Sequence, residues 1–226
     1  LVAAIALALV AGMALGVAIE LFAYRPVRNA NHINAFIVAL GLTMMVEGLN
    51  LQFFGAEQVV IPTNLSRVFD IGGVTIPELR LYVILGAALL IVAMTLFVER
   101  TKTGQAIRAV AQNRDAAILM GVNVNTIPLV VFSMSTALGV AAGVMVGSLF
   151  AIAPGIGEGL VVKGFAVLIL GGLGSIPGAV VGGLVLGVTE ALAAGFISSA
   201  YKDVIAFAVM IIVLLVRPQG LMGKSS

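Results

Sequence analysis

Residues 164–189 read GFAVLILGGLGSIPGAVVGGLVLGVT, 26 residues without a charge. Their length allows one long membrane helix, since a bilayer core takes about twenty apolar residues. The centre of the stretch argues otherwise. Gly171, Gly172, Gly174 and Gly178 surround Pro177, and a proline among glycines breaks a helix through a lost amide donor, a ring clash and backbone entropy. Two short segments, 159–173 and 176–196, or a re-entrant pair follow from that break, because non-helical backbone at membrane depth must lie inside protein. The choice fixes the parity of the whole chain, since it decides on which side of the membrane everything after residue 196 lies.

Outward from that stretch, composition identifies the solvent. Of 226 residues, 61% are hydrophobic and 10% charged, where a soluble domain carries about 45–50% and about 25%. A domain of this size still exposes about a third of its chain surface, so water cannot cover such a sequence and lipid must. Cysteine is absent, which excludes a disulfide framework and a thiolate metal site. Disordered, collagenous and nucleic-acid-binding classes are excluded with them. Predominantly apolar stretches, with at most one charge each, fall at 1–19, 33–54, 81–98, 127–151, 159–173, 176–196 and 204–216. The reading is an all-α, polytopic integral membrane protein with about seven membrane helices, one span broken by Gly and Pro, in a single transmembrane domain over 1–226.

Lys and Arg in short loops are retained on the cytoplasmic side. Arg100, Lys102, Arg108 and Arg114 place the 99–126 loop inside, and Arg25 and Arg28 do the same for 24–31. The 55–80 loop falls outside, its Arg67 and Arg80 balanced by Glu57, Asp70 and Glu78. Breaking the 164–189 stretch returns Arg217 and Lys224 to the inside, as the rule prefers. Leu1 then lies outside and is no initiator Met, which predicts at least one preceding helix and eight in the full chain.

Small residues four apart let helix backbones approach closely in lipid. Gly139, Gly143 and Gly147 form such a ladder, as do Gly178 with Gly182, Gly183 with Gly187 and Gly12 with Gly16. They pack helices within the chain or line a seam between subunits. Ionisable groups inside spans are costly and point to function. Thr43, Glu47 and Asn50, at i, i+4 and i+7, share one helix face. This stripe either lines an aqueous pathway or pins Glu47 to a neighbouring helix. Glu190 reads as interfacial, Lys163 as snorkelling outward, and His32 as a loop residue. No basic partner for Glu47 lies in a span, and no carboxylate pair, His cluster or Ser/His/Asp set supports catalysis or zinc binding. Gly223-Lys224-Ser225 imitates the end of a phosphate loop, but the first glycine would fall at Pro218.

The 99–126 loop is organised. Thr103 caps a first helix over 104–111. Asn113 caps a second, with Asp115 in its first turn and Gly121 as the residue that ends it. Ile118, Leu119 and Met120 then form an apolar knob that lipid cannot cover. It either enters a protein pocket or folds back on the chain's own helix ends.

Asp115-Ala116-Ala117, followed by Gly121, resembles the EAA loop of ABC importer permeases, whose short helix docks into an ATP-binding subunit. Arg108 through Ala117, then Gly121-Val122-Asn123, is similar to the branched-chain amino acid permease family. Three further blocks agree: Tyr24-Arg25-Pro26-Val27-Arg28, Leu170 through Ala179, and Val216-Arg217-Pro218-Gln219-Gly220-Leu221. The chain departs from the general EAA pattern in carrying Asp115 where a glutamate is usual.

The resemblance implies a non-enzymatic permease subunit in the bacterial inner membrane, carrying branched-chain amino acids or, as alternatives, urea, amides or other amino acids. It implies ATP-binding subunits that hold ATP and Mg, no cofactor on this chain, a second permease subunit of the same or a different kind, and a periplasmic substrate-binding protein. Gly104, Arg108, Asn113, Asp115, Ala116, Ala117 and Gly121 would form the coupling loop. An ATP-independent secondary transporter is the rival class, and it would prefer charges paired within the membrane.

Overall fold

A computed structural model describes residues 2–28, 32–61, 67–71, 74–172, 174–217 and 219–223. Leu173, Pro218, Lys224 and Ser225, which figure in the sequence motifs above, lie outside the described residues, as does Leu1. Two compact units are distinguished, Leu1–Pro154 and Gly155–Ser226.

In the first unit α1 (Val2–Ile19) runs through a π-helical turn (Glu20–Tyr24) into α2 (Arg25–Val27). Then come α3 (His32–Phe54), an antiparallel hairpin of β1 (Val68–Ile71) and β2 (Val74–Pro77), and α4 (Glu78–Arg100). Two short helices follow, α5 (Lys102–Gln112) and α6 (Arg114–Leu119), before α7 (Thr126–Leu149). The hairpin register pairs Val68 with Pro77 and Phe69 with Ile76. Among the described residues it is the one hairpin, which the all-α reading omits, and the Gly72-Gly73 pair between two β-branched runs is the signal for it. Val59 and Ile152 exchange backbone hydrogen bonds of 3.0 and 2.8 Å, fastening the segment after α3 to the end of α7.

The main packing of this unit joins α1 to α7. Glycines cause it. A Cβ on Gly12 would lie 2.7 Å from Val140 Cγ2, and one on Gly16 would run into Thr136 Oγ1 and the backbone of Phe132. With no side chain there, the helices meet backbone to backbone and gain close dispersion contact, which in lipid replaces the hydrophobic drive.

The second unit contains α8 (Ile156–Gly171), α9 (Ile176–Phe196) and α10 (Lys202–Val216) around a core of Ala166, Leu186 and Ala206. Helix α9 starts at Ser175, whose hydroxyl accepts a 3.0 Å bond from Gly178 N–H, with Pro177 in the first turn where no amide is needed. Helices α8 and α9 cross at glycine: a Cβ on Gly182 would sit 2.8 Å from Val167 O, and one on Gly178 would strike Gly171 O. The chain after α10 returns to α8. Leu221 N–H donates to Leu170 O at 2.8 Å and Met222 N–H to Gly171 O at 3.1 Å, satisfying carbonyls that a helix end otherwise leaves open. Gly220, at φ +80°, lets the backbones touch there.

Among the described residues, five helices are long and apolar enough to cross a membrane: Ala6–Val27, Ile33–Phe54, Glu78–Arg100, Thr126–Leu149 and Ile176–Phe196. The other two of the seven stretches correspond to α8 and α10, helical over 16 and 15 residues and thus shorter than the roughly twenty a straight crossing takes. The chain is a mostly helical, multi-pass membrane protein.

Candidate functional site

The link between α4 and α7 is built from its caps upward. Thr101 alone separates α4 from α5 and adopts extended φ and ψ of −93° and 154°. Its Oγ1 accepts a 3.0 Å bond from Gly104 N–H, and its hydroxyl donates to Phe97 O at 2.6 Å. Thr101 is therefore the cap, and α5 covers Lys102–Gln112 where the sequence suggested Thr103 and 104–111. The one-residue connection places Thr103 inside the first turn, where it cannot cap. Gly104 is buried against the last carbonyls of α4, Phe97 O and Val98 O, with no room for a Cβ. The Arg108 guanidinium donates to Val98 O as well. Arg108 and Gly104 together clamp α5 across the end of α4.

Asn113 caps α6 twice: its Oδ1 accepts from Asp115 N–H and Ala116 N–H, each at 3.0 Å. The helix closes in a Schellman motif. Gly121, at φ +80°, donates to Ile118 O at 2.9 Å, and Val122 N–H donates to Ala117 O at 3.0 Å. Ala117 is buried against the loop, whereas Leu119 is 87% and Met120 85% exposed. The apolar knob projects away from the described residues of its own chain and does not fold back on them. Beyond it, Arg28 donates to Val124 O at 2.6 Å and to Asn125 Oδ1 at 3.4 Å, just before α7.

The polar stripe on α3 divides. Thr43 lines an open groove of about 560 Å³ with Leu15 and Ile19 of α1 and Ser135, Thr136 and Gly139 of α7. Its hydroxyl donates back to Ala39 O at 2.9 Å, so it needs no other partner. Glu47 and Asn50, one and two turns further along, are half-buried and outside the groove lining. Of the glycines singled out for packing, Gly178 and Gly182 lie in the α8–α9 crossing and Gly147 abuts Ile152. A Cβ on Gly139 or Gly143 would meet nothing within 4 Å among the described residues.

Two charged features escape the sequence. Lys163 Nζ bonds Glu190 Oε2 at 2.8 Å and lies 3.0 Å from Asp203 Oδ1, an ionic contact outside hydrogen-bond alignment. Lys163 is thus paired across three helices and does not snorkel alone. The signal is the antiparallel step away from the glycine crossing, which sets Val167 against Gly182 and Lys163 one turn short of Glu190, within reach of its long side chain. Asp203 lay one residue outside the predicted 204–216 stretch. Glu20, in the π-helical turn, is 1% exposed, and its Oε2 has no hydrogen-bond partner among the described residues. Among the described residues no group of three His, Cys, Asp or Glu side chains could hold a metal ion.

Gly-packed apolar helices joined by a capped, clamped loop with an exposed knob define a multi-pass membrane protein. Residues 1–214 match the family described as branched-chain amino acid transport system / permease component, and the chain belongs to that family. It is 36% identical to the high-affinity branched-chain amino acid transport system permease protein BraD of Pseudomonas aeruginosa, over 99% of this chain and 75% of that one. It is 35% identical to the LivH permease protein of Escherichia coli, over 96% of this chain and 72% of that one. A more distant relative, the ribose import permease protein RbsC of E. coli, is 27% identical over 94% of this chain and 68% of its own. No solved structure matches the chain.

Proposed function

We propose that the protein is the membrane-embedded permease subunit of an ATP-driven importer of branched-chain amino acids in the bacterial inner membrane. Coupling runs through the loop after α4, which lies in the cytoplasm. The observation that carries this is the exposed pair Leu119 and Met120 on a helix fixed at both ends. Two large apolar side chains held in water on a rigid support suit insertion into a pocket of an ATP-binding subunit, where ATP and Mg reside. Asn113, Asp115 and Gly121 shape that helix, Ala116 and Ala117 seat it, and Gly104 and Arg108 fix its base.

Helices α8 and α9 form two spans or a re-entrant pair and α10 a further short span, giving about seven membrane segments. Gly139 and Gly143, open on α7, suit close approach by a second permease subunit, the same or different. A periplasmic binding protein delivers substrate on the opposite face. Thr43, Glu47 and Asn50 remain candidates for a polar lining. The Lys163–Glu190 pair removes one ground on which the sequence disfavoured an ion-coupled transporter, but membership of the permease family supports the ATP-driven class.

The test is association and stimulation. Leu119→Asp with Met120→Asp should abolish co-purification of the ATP-binding subunits while leaving the permease monodisperse. The reconstituted wild-type complex, with its binding protein, should raise ATP hydrolysis with leucine, isoleucine or valine and not with urea, amides or polar amino acids. Undiminished co-purification of the double variant would sink the coupling role, and stimulation by urea alone would replace the substrate.

A further inference from the structure

Arg28 ends the Tyr24-Arg25-Pro26-Val27-Arg28 block, a motif with no role in the account so far. Its guanidinium reaches 96 residues along the chain to Val124 O, at 2.6 Å, and to Asn125 Oδ1, at 3.4 Å. These acceptors lie between the knob and the start of α7. The bond to Val124 O is charge-assisted and part-buried, the stronger sort of hydrogen bond. Asn123 Oδ1 accepts from Asn125 N–H at 3.1 Å, so the receiving segment is itself held in one shape.

The opposite end of the loop is fastened in the same way, by Arg108 on Val98 O of α4. The loop therefore has two handles: Arg108 leads to α4, and Arg28 leads to α1. Helices α1 and α7 meet in close contact, Gly16 against the Phe132 backbone and Gly12 against Val140, so a displacement delivered to one is delivered to both.

The π-helical turn sets the aim of Arg28. Arg25 N–H bonds Glu20 O, an i to i+5 closure that inserts one residue into the helix. Each residue of an α-helix advances about 100° around the axis, so without the insertion Arg28 would point about 100° away from Val124. Tyr24 and Phe132 hold the turn against α7, their ring centroids 4.7 Å apart. Such turns recur at functional sites.

We propose that Arg28 is a positioning residue for transport: it joins the coupling loop to the α1–α7 pair, so that movement of the knob moves both helices as one body. This rests on the coupling role proposed above. The test uses the permease in proteoliposomes with its ATP-binding subunits and binding protein, reading leucine imported per ATP hydrolysed. Arg28→Ala should keep the ATP-binding subunits and their hydrolysis but lower that ratio about tenfold, the scale of one charge-assisted hydrogen bond. Arg28→Lys, still able to donate to Val124 O, should recover most of it. An unchanged ratio in Arg28→Ala overturns the proposal.

Should Arg28→Ala fail to assemble, a covalent substitute decides. The chain has no cysteine, so Arg28→Cys with Asn125→Cys can be bridged by a short bis-maleimide without background. Bridging the isolated permease before the ATP-binding subunits are added should restore both assembly and the import ratio, and a bridged complex that assembles but stays uncoupled overturns the inference. Failure of the coupling role itself shows separately, as retention of the ATP-binding subunits by Leu119→Asp, Met120→Asp with Arg28 intact.

Discussion

Replacing Gly16 with alanine tests the packing on which the first unit rests. An added Cβ would lie 2.5 Å from Phe132 O, about 0.9 Å short of the 3.4 Å where ordinary contact begins, and would also overlap Thr136 Oγ1. The threonine can rotate, but it would forfeit its 2.8 Å bond to Phe132 O. The backbone carbonyl cannot rotate, because it belongs to the α7 ladder, so the helices must part. Overpacking of this kind costs about 1–3 kcal/mol. At Gly12 the nearest obstacle, 2.7 Å away, is a valine methyl, which can yield, so the same substitution should cost less there. Gly139→Ala meets nothing within 4 Å and should be neutral, or stabilising by up to about 1 kcal/mol through helix propensity. For a chain of this length about 1 kcal/mol shifts the midpoint by roughly 2–4 °C. Gly16→Ala should therefore lose about 2–12 °C in a size-exclusion thermal-stability assay in detergent. Equal midpoints for Gly16→Ala and Gly139→Ala in the isolated permease would refute the α1–α7 contact.

Gly121→Val should strain the Schellman motif, because a β-branched residue at φ +80° costs about 1–3 kcal/mol, and ATP-binding subunits should co-purify less well. Lys163→Met leaves Glu190 and Asp203 facing each other without their shared cation. Its thermal midpoint should fall and be partly restored when Asp203→Asn is added; additive effects would show that the three do not interact. Glu47→Gln should change leucine uptake more than subunit assembly, and equal uptake would leave Glu47 with a packing role.

Legibility followed the range of the interaction. The start of α9 and the ends of α6 follow from Ser175, Pro177, Asn113 and Gly121, whose preferences act within a turn of the residue itself. Thr101 against Thr103 turned on one residue of connection, below what patterning resolves. Small residues four apart mark Gly12 with Gly16 and Gly139 with Gly143 alike, yet among the described residues only the first pair meets a helix. Periodicity names a face and not its neighbour. The bridge from Lys163 to Glu190 and Asp203 requires α8 to fold back on α9 first, so no single segment contains it. In the π-helical turn, Glu20-Leu21-Phe22-Ala23-Tyr24 reads as ordinary helix, and its register is imposed by packing against α7.

The closure of α8 by Leu221 and Met222 also bears on biogenesis. Helix α8 leaves the ribosome some fifty residues before the amides that complete its end. Until they arrive, Leu170 and Gly171 present open carbonyls that lipid cannot satisfy, so the nascent segment must linger near water or the insertion machinery. With α8 in the membrane as proposed, insertion of the second unit should be completed only when the final stretch is made. A stop codon between α10 and Gly220 should therefore leave every described helix in place and still lower the amount of permease that accumulates in the membrane fraction.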